Sequence, residues 1–305
     1  MKPFFSIIVP TYNRAHLIAK AIESVINQTL SSWELIIVDD GSTDNTKEIV
    51  NSYNDSRIRY IYQQNAERSE ARNNGIKNST GTYICFLDSD DYYLANRLKE
   101  LHNEIIKQGK PIAFYYTGIL YLYEGEISAR PELSNTFAKI QDFIVCAVIG
   151  TPQVCIHESI LAKENFNPLF NIGEDMELWL RVSKIASPIY LENQFTVVAV
   201  EHDTRSVNVK LYNSYIDQMR MLRHIFSENH PGHRISENIK KQLRSNCFFG
   251  MAKFFIYNRK KRTAARHLMQ SIFADVSHFQ NKYRLNILLK LMQPNGIEKA
   301  ILLLQ

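Results

Sequence analysis

Three acidic clusters are placed where they could handle a cation, a nucleotide and a proton. Asp88-Ser89-Asp90-Asp91 follows directly on the apolar run Tyr83-Ile84-Cys85-Phe86-Leu87. Like charges packed at a strand end repel unless a cation or hydrogen-bond donors offset them, and carboxylate oxygens suit Mg2+ or Mn2+. An ion there could bridge a diphosphate and neutralise the charge growing on it as a leaving group. A solvated acidic turn capping the next helix accounts for the same residues. The second cluster, Asp39-Asp40-Gly41-Ser42-Thr43-Asp44, ends another apolar run. A carboxylate at this point can accept the ring N–H of uracil, thymine or guanine, which cytosine lacks at that edge; an ordinary strand-to-helix turn is the alternative. The third is Glu174-Asp175, at the head of a segment in which Leu178, Arg181 and Val182 recur at helical spacing around Trp179. A helix N-terminus favours anions, so a charged helix start is the plainer account of this pair.

These clusters need elements to carry them. Phe5–Pro10, Glu34–Val38, Arg57–Tyr62 and Tyr83–Leu87 read as short strands. Leu17–Ile26, Glu67–Lys77 and a segment near 94–108 read as helices, with a further helix capped by Ser42 or Thr43. Strands alternating with helices at this spacing mean β-α-β units, and hence an α/β fold with a mostly parallel sheet covered on both faces. Ligands in such sheets sit beyond the carboxyl ends of the strands, where Thr11-Tyr12-Asn13, Asp39-Asp40 and Asp88–Asp91 all fall. From about residue 208 the pattern turns to helices over 211–227, 236–257, 262–273 and 284–292. A boundary near 205 is therefore expected, with a catalytic domain over 1–206 and a helical region over 207–305.

Composition bounds the class. The chain has 305 residues, 45% hydrophobic and 22% charged, which is ordinary for a globular protein. Cys85, Cys146, Cys155 and Cys247 form no C-x-x-C pair, so neither a disulfide framework nor a zinc ribbon is indicated. No basic leader precedes Phe5, so secretion is not expected. The apolar stretches at 112–123 and 143–156 fall short of the ~18–20 residues of a membrane-spanning helix. A cytoplasmic protein is expected, soluble or peripheral on the inner face of the membrane.

Ser6-Ile7-Ile8-Val9-Pro10-Thr11-Tyr12-Asn13-Arg14, Val38 to Thr46, Ala71-Arg72-Asn73 and Leu87-Asp88-Ser89-Asp90-Asp91 occur in this order and spacing. Together they resemble the family 2 glycosyltransferases of the GT-A fold, over roughly residues 4–206. The resemblance implies a Rossmann-like sheet and inverting transfer from a nucleotide-diphosphate sugar, most simply a UDP-sugar, to a glycan or lipid-linked acceptor in surface-polysaccharide synthesis. Pro10, Thr11 and Tyr12 would contact the nucleotide, with Tyr12 on the base and Asp39 bonded to it. Arg14, Asp40 and Ser89 belong to the same nucleotide-binding set, Arg72 would lie near the nucleotide or its phosphates, and Asp88 would face the ribose or donor sugar. Asp90, with Asp88, would hold Mn2+ or Mg2+. Asp175, beside Glu174, matches the catalytic base of related transferases and would deprotonate the acceptor hydroxyl in a single inverting displacement. His202 could complete the metal site and Arg205 pair with phosphate, although the tidier arginine-x-x-histidine lead of the family is missing. Thr151 and Gln153 resemble the stretch lining the sugar or acceptor pocket.

The rear of the chain is basic, with roughly 18 Lys and Arg against roughly 5 Asp and Glu over 204–305, while the front is acidic. Lys240, Lys241, Arg244, Lys253 and Arg259–Arg262 alternate with Phe248, Phe249, Phe254, Phe255, Ile256 and Tyr257. Such helices suit an anionic bilayer surface, and equally a helical subdomain that packs its aromatics against the catalytic domain. No nucleic-acid module is present, so no nucleic-acid partner is expected. A metal-dependent nucleotidyltransferase is the rival enzyme class, but neither G-x-x-x-x-G-K-[ST] nor G-x-G-x-x-G occurs. A non-catalytic nucleotide-binding module is the third reading, against which the intact Asp39, Asp88, Asp90 and Asp175 argue.

Overall fold

The strand Phe5–Thr11 (β1) is buried along its length apart from the half-buried Pro10, as required of a strand covered on both faces. Residues 2–129, 137–201, 212–277 and 280–304 are described by a computed structural model. The chain forms two compact units, 1–202 and 203–305. The first continues with α1 (Ile18–Ile26), β2 (Trp33–Asp39), α2 (Thr46–Asn51), β3 (Ile58–Tyr62), α3 (Glu67–Asn78), β4 (Tyr83–Phe86), β5 (Tyr92–Tyr93) and α4 (Arg97–Lys107). It ends with β6 (Phe114–Tyr123), β7 (Glu126–Ala129), α5 (Ile140–Ala147), β8 (Val154–His157), α6 (Glu158–Leu161), α7 (Glu174–Val182) and β9 (Pro188–Val200).

The strands join in the order β3-β2-β1-β4-β8-β6-β9-β5, with β7 on β6. The run from β3 to β4 is parallel, antiparallel pairing enters at β8, and the long β6–β9 pairing is parallel again. The α/β sheet expected from the sequence is thus present. Chain order steps outward from β1 to β3 and returns to the other edge of β1 at β4. This reversal opens a crevice beyond the carboxyl ends of β1 and β4.

Alternation along the strands assigns the two faces. Ile7, Val9 and Cys85 share a core with Ile18 and Ile22 of α1 and Leu98 and Leu101 of α4. Ile8, level with Phe86, points the other way. On that face α3 lies so close that a Cβ on Gly75 would come within 2.3 Å of Ile8 Cγ2. Phe86 meets Phe166 edge-on at 5.4 Å, and Trp179 of α7 packs on Phe166 and Phe114. The α3 and α7 helices therefore cover one face, which lets residues about a hundred positions apart meet.

One local expectation is corrected. Neither Ser42 nor Thr43 caps α2, which starts at Thr46 with Asn45 before it. The Ser42 hydroxyl instead accepts the Asn13 N–H at 2.9 Å, while the Ser42 N–H turns back to Asp39. Loop-to-loop bonding thus outcompetes the helix end for these hydroxyls.

The second unit holds α8 (Tyr212–Ile225), α9 (Glu237–Tyr257), α10 (Lys261–Ala274), α11 (Asn281–Leu291) and α12 (Gly296–Leu304). Phe249, Phe255 and Ile256 of α9 lie in this unit's own core with Ala264, Leu268, Ile287 and Leu291. The Phe249, Phe255 and Ile256 side chains of α9 thus pack within the helical unit, while Tyr257 at its end is exposed. No described helix is long and apolar enough to cross a membrane.

Candidate active site

The loops after β1 and β2 are tied together. Asp40 N–H donates to Thr11 O at 2.8 Å and Thr43 N–H to Asn13 Oδ1 at 2.8 Å, with Asn13 in the left-handed region at φ 51°. Asp39 is buried, and its two oxygens accept the Ser42 N–H at 2.8 Å and the Tyr60 hydroxyl at 2.6 Å. Burial, and then the Asp39 carboxylate, push the Tyr60 phenol far above its ordinary range. A carboxylate offers about four acceptor positions, so Asp39 can still receive a ring N–H. The neighbouring Asp40 is engaged differently. Its carboxylate accepts Gln63 Nε2 at 2.7 Å and Ala66 N–H at 2.9 Å, anchoring the lead into α3.

The other residues expected at the nucleotide lie on the same rim. Pro10 is half-buried at the end of β1, Tyr12 is exposed, and Arg14 N–H donates to Thr46 Oγ1 at 3.3 Å. Thr11 is buried, yet its hydroxyl has no hydrogen-bond partner among the described residues. An orphaned buried hydroxyl carries a desolvation cost that a ligand at this crevice would relieve. Asp39 pairs in register with Thr11, and Phe86 with Ile8. The ends of β2 and β4 are thus two strand spacings apart across the sheet, about 10 Å, with β2 running further toward the rim.

The acidic loop after β4 is braced by protein donors. Asp88, Asp90 and Asp91 each bring a carboxylate oxygen within 4.8 Å of the others. Arg72 Nη2 donates to Asp88 at 3.0 Å, and Val200 N–H donates to Asp91 at 3.0 Å, bringing the end of β9 to this loop. Ser89 is buried between them. Asp91, the last member of the acidic run, is the most buried of its carboxylates. His202 and Arg205 lie outside the described residues.

Arg72 also reaches the third cluster. Its Nη1 donates to Glu174 at 2.9 Å, so one buried guanidinium joins the loop after β4 to the first turn of α7. Burial works against the charge on Arg72, but the carboxylates of Asp88 and Glu174 outweigh it and raise its pKa. Gly173, at φ 73°, turns the chain into α7, and no side-chain bond caps the helix. The Asp175 carboxylate accepts the Met176 N–H at 2.7 Å. Packing around Asp175, and then the charge of Glu174, push its pKa up to about 7, against the smaller pull of Arg72. It is partly exposed at the surface, so solvent still reaches it. Both Nη groups of Arg72 are thus engaged by carboxylates on the same rim as the nucleotide-site candidates.

Thr151 and Gln153 are buried, and Gln153 bonds Thr117 O and the Gly150 N–H, shaping the turn before β8. A groove of about 1160 Å³ runs along the outer side of α3, past Gln63, Glu70, Asn73, Asn74, Lys77 and Phe166. None of Asp39, Asp88, Asp90 or Asp175 lines it. The candidate ionisable groups converge on the charged rim and not in this groove.

Residues 6–146 match the family model for glycosyl transferase family 2. An Escherichia coli protein, "UDP-Glc:alpha-D-GlcNAc-diphosphoundecaprenol beta-1,3-glucosyltransferase WfgD", is 34% identical over 59% of this chain and 69% of its own length. The chain belongs to glycosyl transferase family 2. This family 2 glycosyltransferase also resembles, at 28% identity over 97% of its length and 96% of the relative, a Campylobacter jejuni "GalNAc(5)-diNAcBac-PP-undecaprenol beta-1,3-glucosyltransferase". An uncharacterized glycosyltransferase of Rickettsia bellii is 35% identical over 58% of this chain, which spans only 26% of that longer relative. Residues 1–349 of S. aureus TarS, solved with UDP, share the fold with a TM-score of 0.60 at 19% identity, covering 88% of this chain and 80% of that one.

Proposed function

We propose that this glycosyltransferase moves a sugar, with inversion, from a UDP-sugar to a hydroxyl of a lipid-linked glycan, with residues 1–206 as the catalytic region. The observation that carries the reading is the chain Asp88–Arg72–Glu174, which sets Asp175, with its pKa near neutrality, beside the acidic loop. The names of the Escherichia coli and Campylobacter jejuni relatives support the acceptor class, and that of the Escherichia coli protein a UDP-linked donor.

Each role follows from local chemistry. Asp39 accepts the uracil ring N–H, with Tyr60 holding the carboxylate in place, while Tyr12 lies on the base and Thr11, Pro10, Arg14 and Ser89 line the nucleotide. Three carboxylates gathered on one loop are a donor set that fits a hard divalent cation, Mn2+ or Mg2+, which Asp90 and Asp88 would hold. When bound, such an ion offsets the charge developing on the leaving diphosphate. Asp175 removes the acceptor proton as the hydroxyl attacks, and a base with its pKa near the working pH suits this step. Glu174 and Arg72 position that base. Asp40 acts one step back by fixing the lead into α3. The enzyme works at the cytoplasmic face of the membrane, where a lipid-linked acceptor and a soluble donor meet.

The test is a product assay with UDP-glucose, Mn2+ and an undecaprenyl-diphosphate-linked saccharide. Release of UDP together with a β-linked glycolipid is the expected result. Pyrophosphate release from a nucleoside triphosphate, with no UDP from any UDP-sugar, would instead establish the nucleotidyltransferase reading.

A further inference from the structure

The helical unit exposes large apolar side chains in a place the sequence pattern did not indicate. Helices α10 and α11 are consecutive and pack on each other, burying Ala264, Leu268, Ile287 and Leu291. Their outer sides carry two stripes at helical spacing, Arg262-Arg266-Met269-Phe273 and Lys282-Leu285-Leu289-Met292, all exposed. Where the two helices join, Phe273 is 76% exposed and Val276 in the connection 75%. Side chains of this size seldom stand so far out in water in a group, so the group marks a surface that something covers.

From this we infer that the joined end of α10 and α11 is a membrane-docking surface. Phe273, Val276 and Leu285 enter the boundary between headgroups and acyl chains of an anionic bilayer, while Arg266 and Lys282 meet the headgroups. Charge selects this occupant. The region 204–305 carries roughly 18 basic against roughly 5 acidic residues. The acidic groups closest to the patch in sequence are engaged: Asp275 is buried and bonded to Ser277, and Glu298 on α12 pairs with Arg259. A second copy of the chain is a poor partner, because a two-fold contact through one patch would set its Arg266 and Lys282 against themselves. An anionic lipid surface meets both the apolar and the basic parts at once. This inference rests on the reading that the acceptor is lipid-linked, and it keeps the chain at the membrane that carries that acceptor.

The experiment is co-sedimentation of the full chain with vesicles of phosphatidylcholine alone and of phosphatidylcholine with phosphatidylglycerol at 7:3. Binding to the anionic vesicles only is expected. Phe273→Ser with Val276→Ser should lower the partition coefficient tenfold or more. Arg266→Gln with Lys282→Gln should lower it about fivefold per charge and flatten its salt dependence. Circular dichroism and UDP release with a water-soluble acceptor should match the parent in all variants, which separates loss of docking from loss of folding. Equal binding by the parent and the Phe273/Val276 variant, or no vesicle binding at all, overturns the inference, as does a parent dimer that this variant converts to monomer. Vesicle binding without sugar transfer would leave the docking surface standing and remove only the activity reading.

Discussion

Arg72 and Glu174, 102 positions apart, form a buried ion pair at 2.9 Å, and the same guanidinium holds Asp88 at 3.0 Å. One planar guanidinium, with an Nη on each carboxylate, sets the first turn of α7 against the loop after β4. Position, more than charge, is what this contact supplies to Asp175.

That role has a kinetic signature. Arg72→Lys keeps the charge, but a single ammonium cannot span both carboxylates as the fork does. We expect kcat to fall roughly 10- to 100-fold through misplacement of the base, with KM for UDP-glucose within about twofold. A raised KM with unchanged kcat would instead make Arg72 a phosphate contact, as the family resemblance implied. Complete removal in Arg72→Ala is a poorer test, since stranding the buried Glu174 carboxylate costs about 3–5 kcal/mol.

Titration of Asp175 links folding to pH. Its pKa stands at about 7 in the folded chain against 3.8 ordinarily, so folding favours the protonated form. That contribution is fully present below about pH 4 and is lost as the pH rises through about 7. Asp175→Asn, which cannot ionise, should match the parent in stability near pH 4 and exceed it at pH 8. Screening by solvent at the exposed part of the side chain holds the difference to on the order of 1–2 kcal/mol. Urea titrations at the two pH values measure it; a difference that is the same at both would mean that Asp175 does not titrate in this range.

Tyr60 is the third case. Tyr60→Phe takes the donor from one buried oxygen of Asp39, which should cost about 1–3 kcal/mol of stability and raise KM for UDP-glucose as the carboxylate loses its orientation. Thermal melting and initial-rate kinetics read the two effects. An unchanged KM in a destabilised variant would make the Tyr60–Asp39 bond purely structural.

How far the sequence reveals this depends on what each residue packs against. Ile7–Val9 and Leu35–Val38 read as strands because they are buried on both faces, and the carboxylates at their ends mark the rim. The bridge through Arg72 leaves no such trace. The buried positions of α3 are Ser69, Ala71, Arg72 and Gly75, so no apolar stripe shows which side of the helix faces the sheet. Tyr60 is hidden for a similar reason, as one aromatic in a strand whose register to β2 alone brings it to Asp39. Beyond Phe86, pairing between distant strands such as β6 and β9 decides the sheet, and local pattern carries no information about partners. On α9 the alternation of Phe and Lys fits a lipid-facing helix and a packed helical subdomain equally, because burial is a tertiary property; Phe249 and Phe255 are buried, while Phe273 of α10 and Leu285 of α11 stand exposed.

The measurement that bears most directly on the account compares binding with turnover in Asp175→Asn. Calorimetry with UDP-glucose and Mn2+ should give the parental affinity, while sugar transfer to the lipid-linked saccharide falls ~10²-fold or more, the scale of general-base catalysis. Turnover at the parental rate in that variant would contradict the assignment of Asp175 as the base.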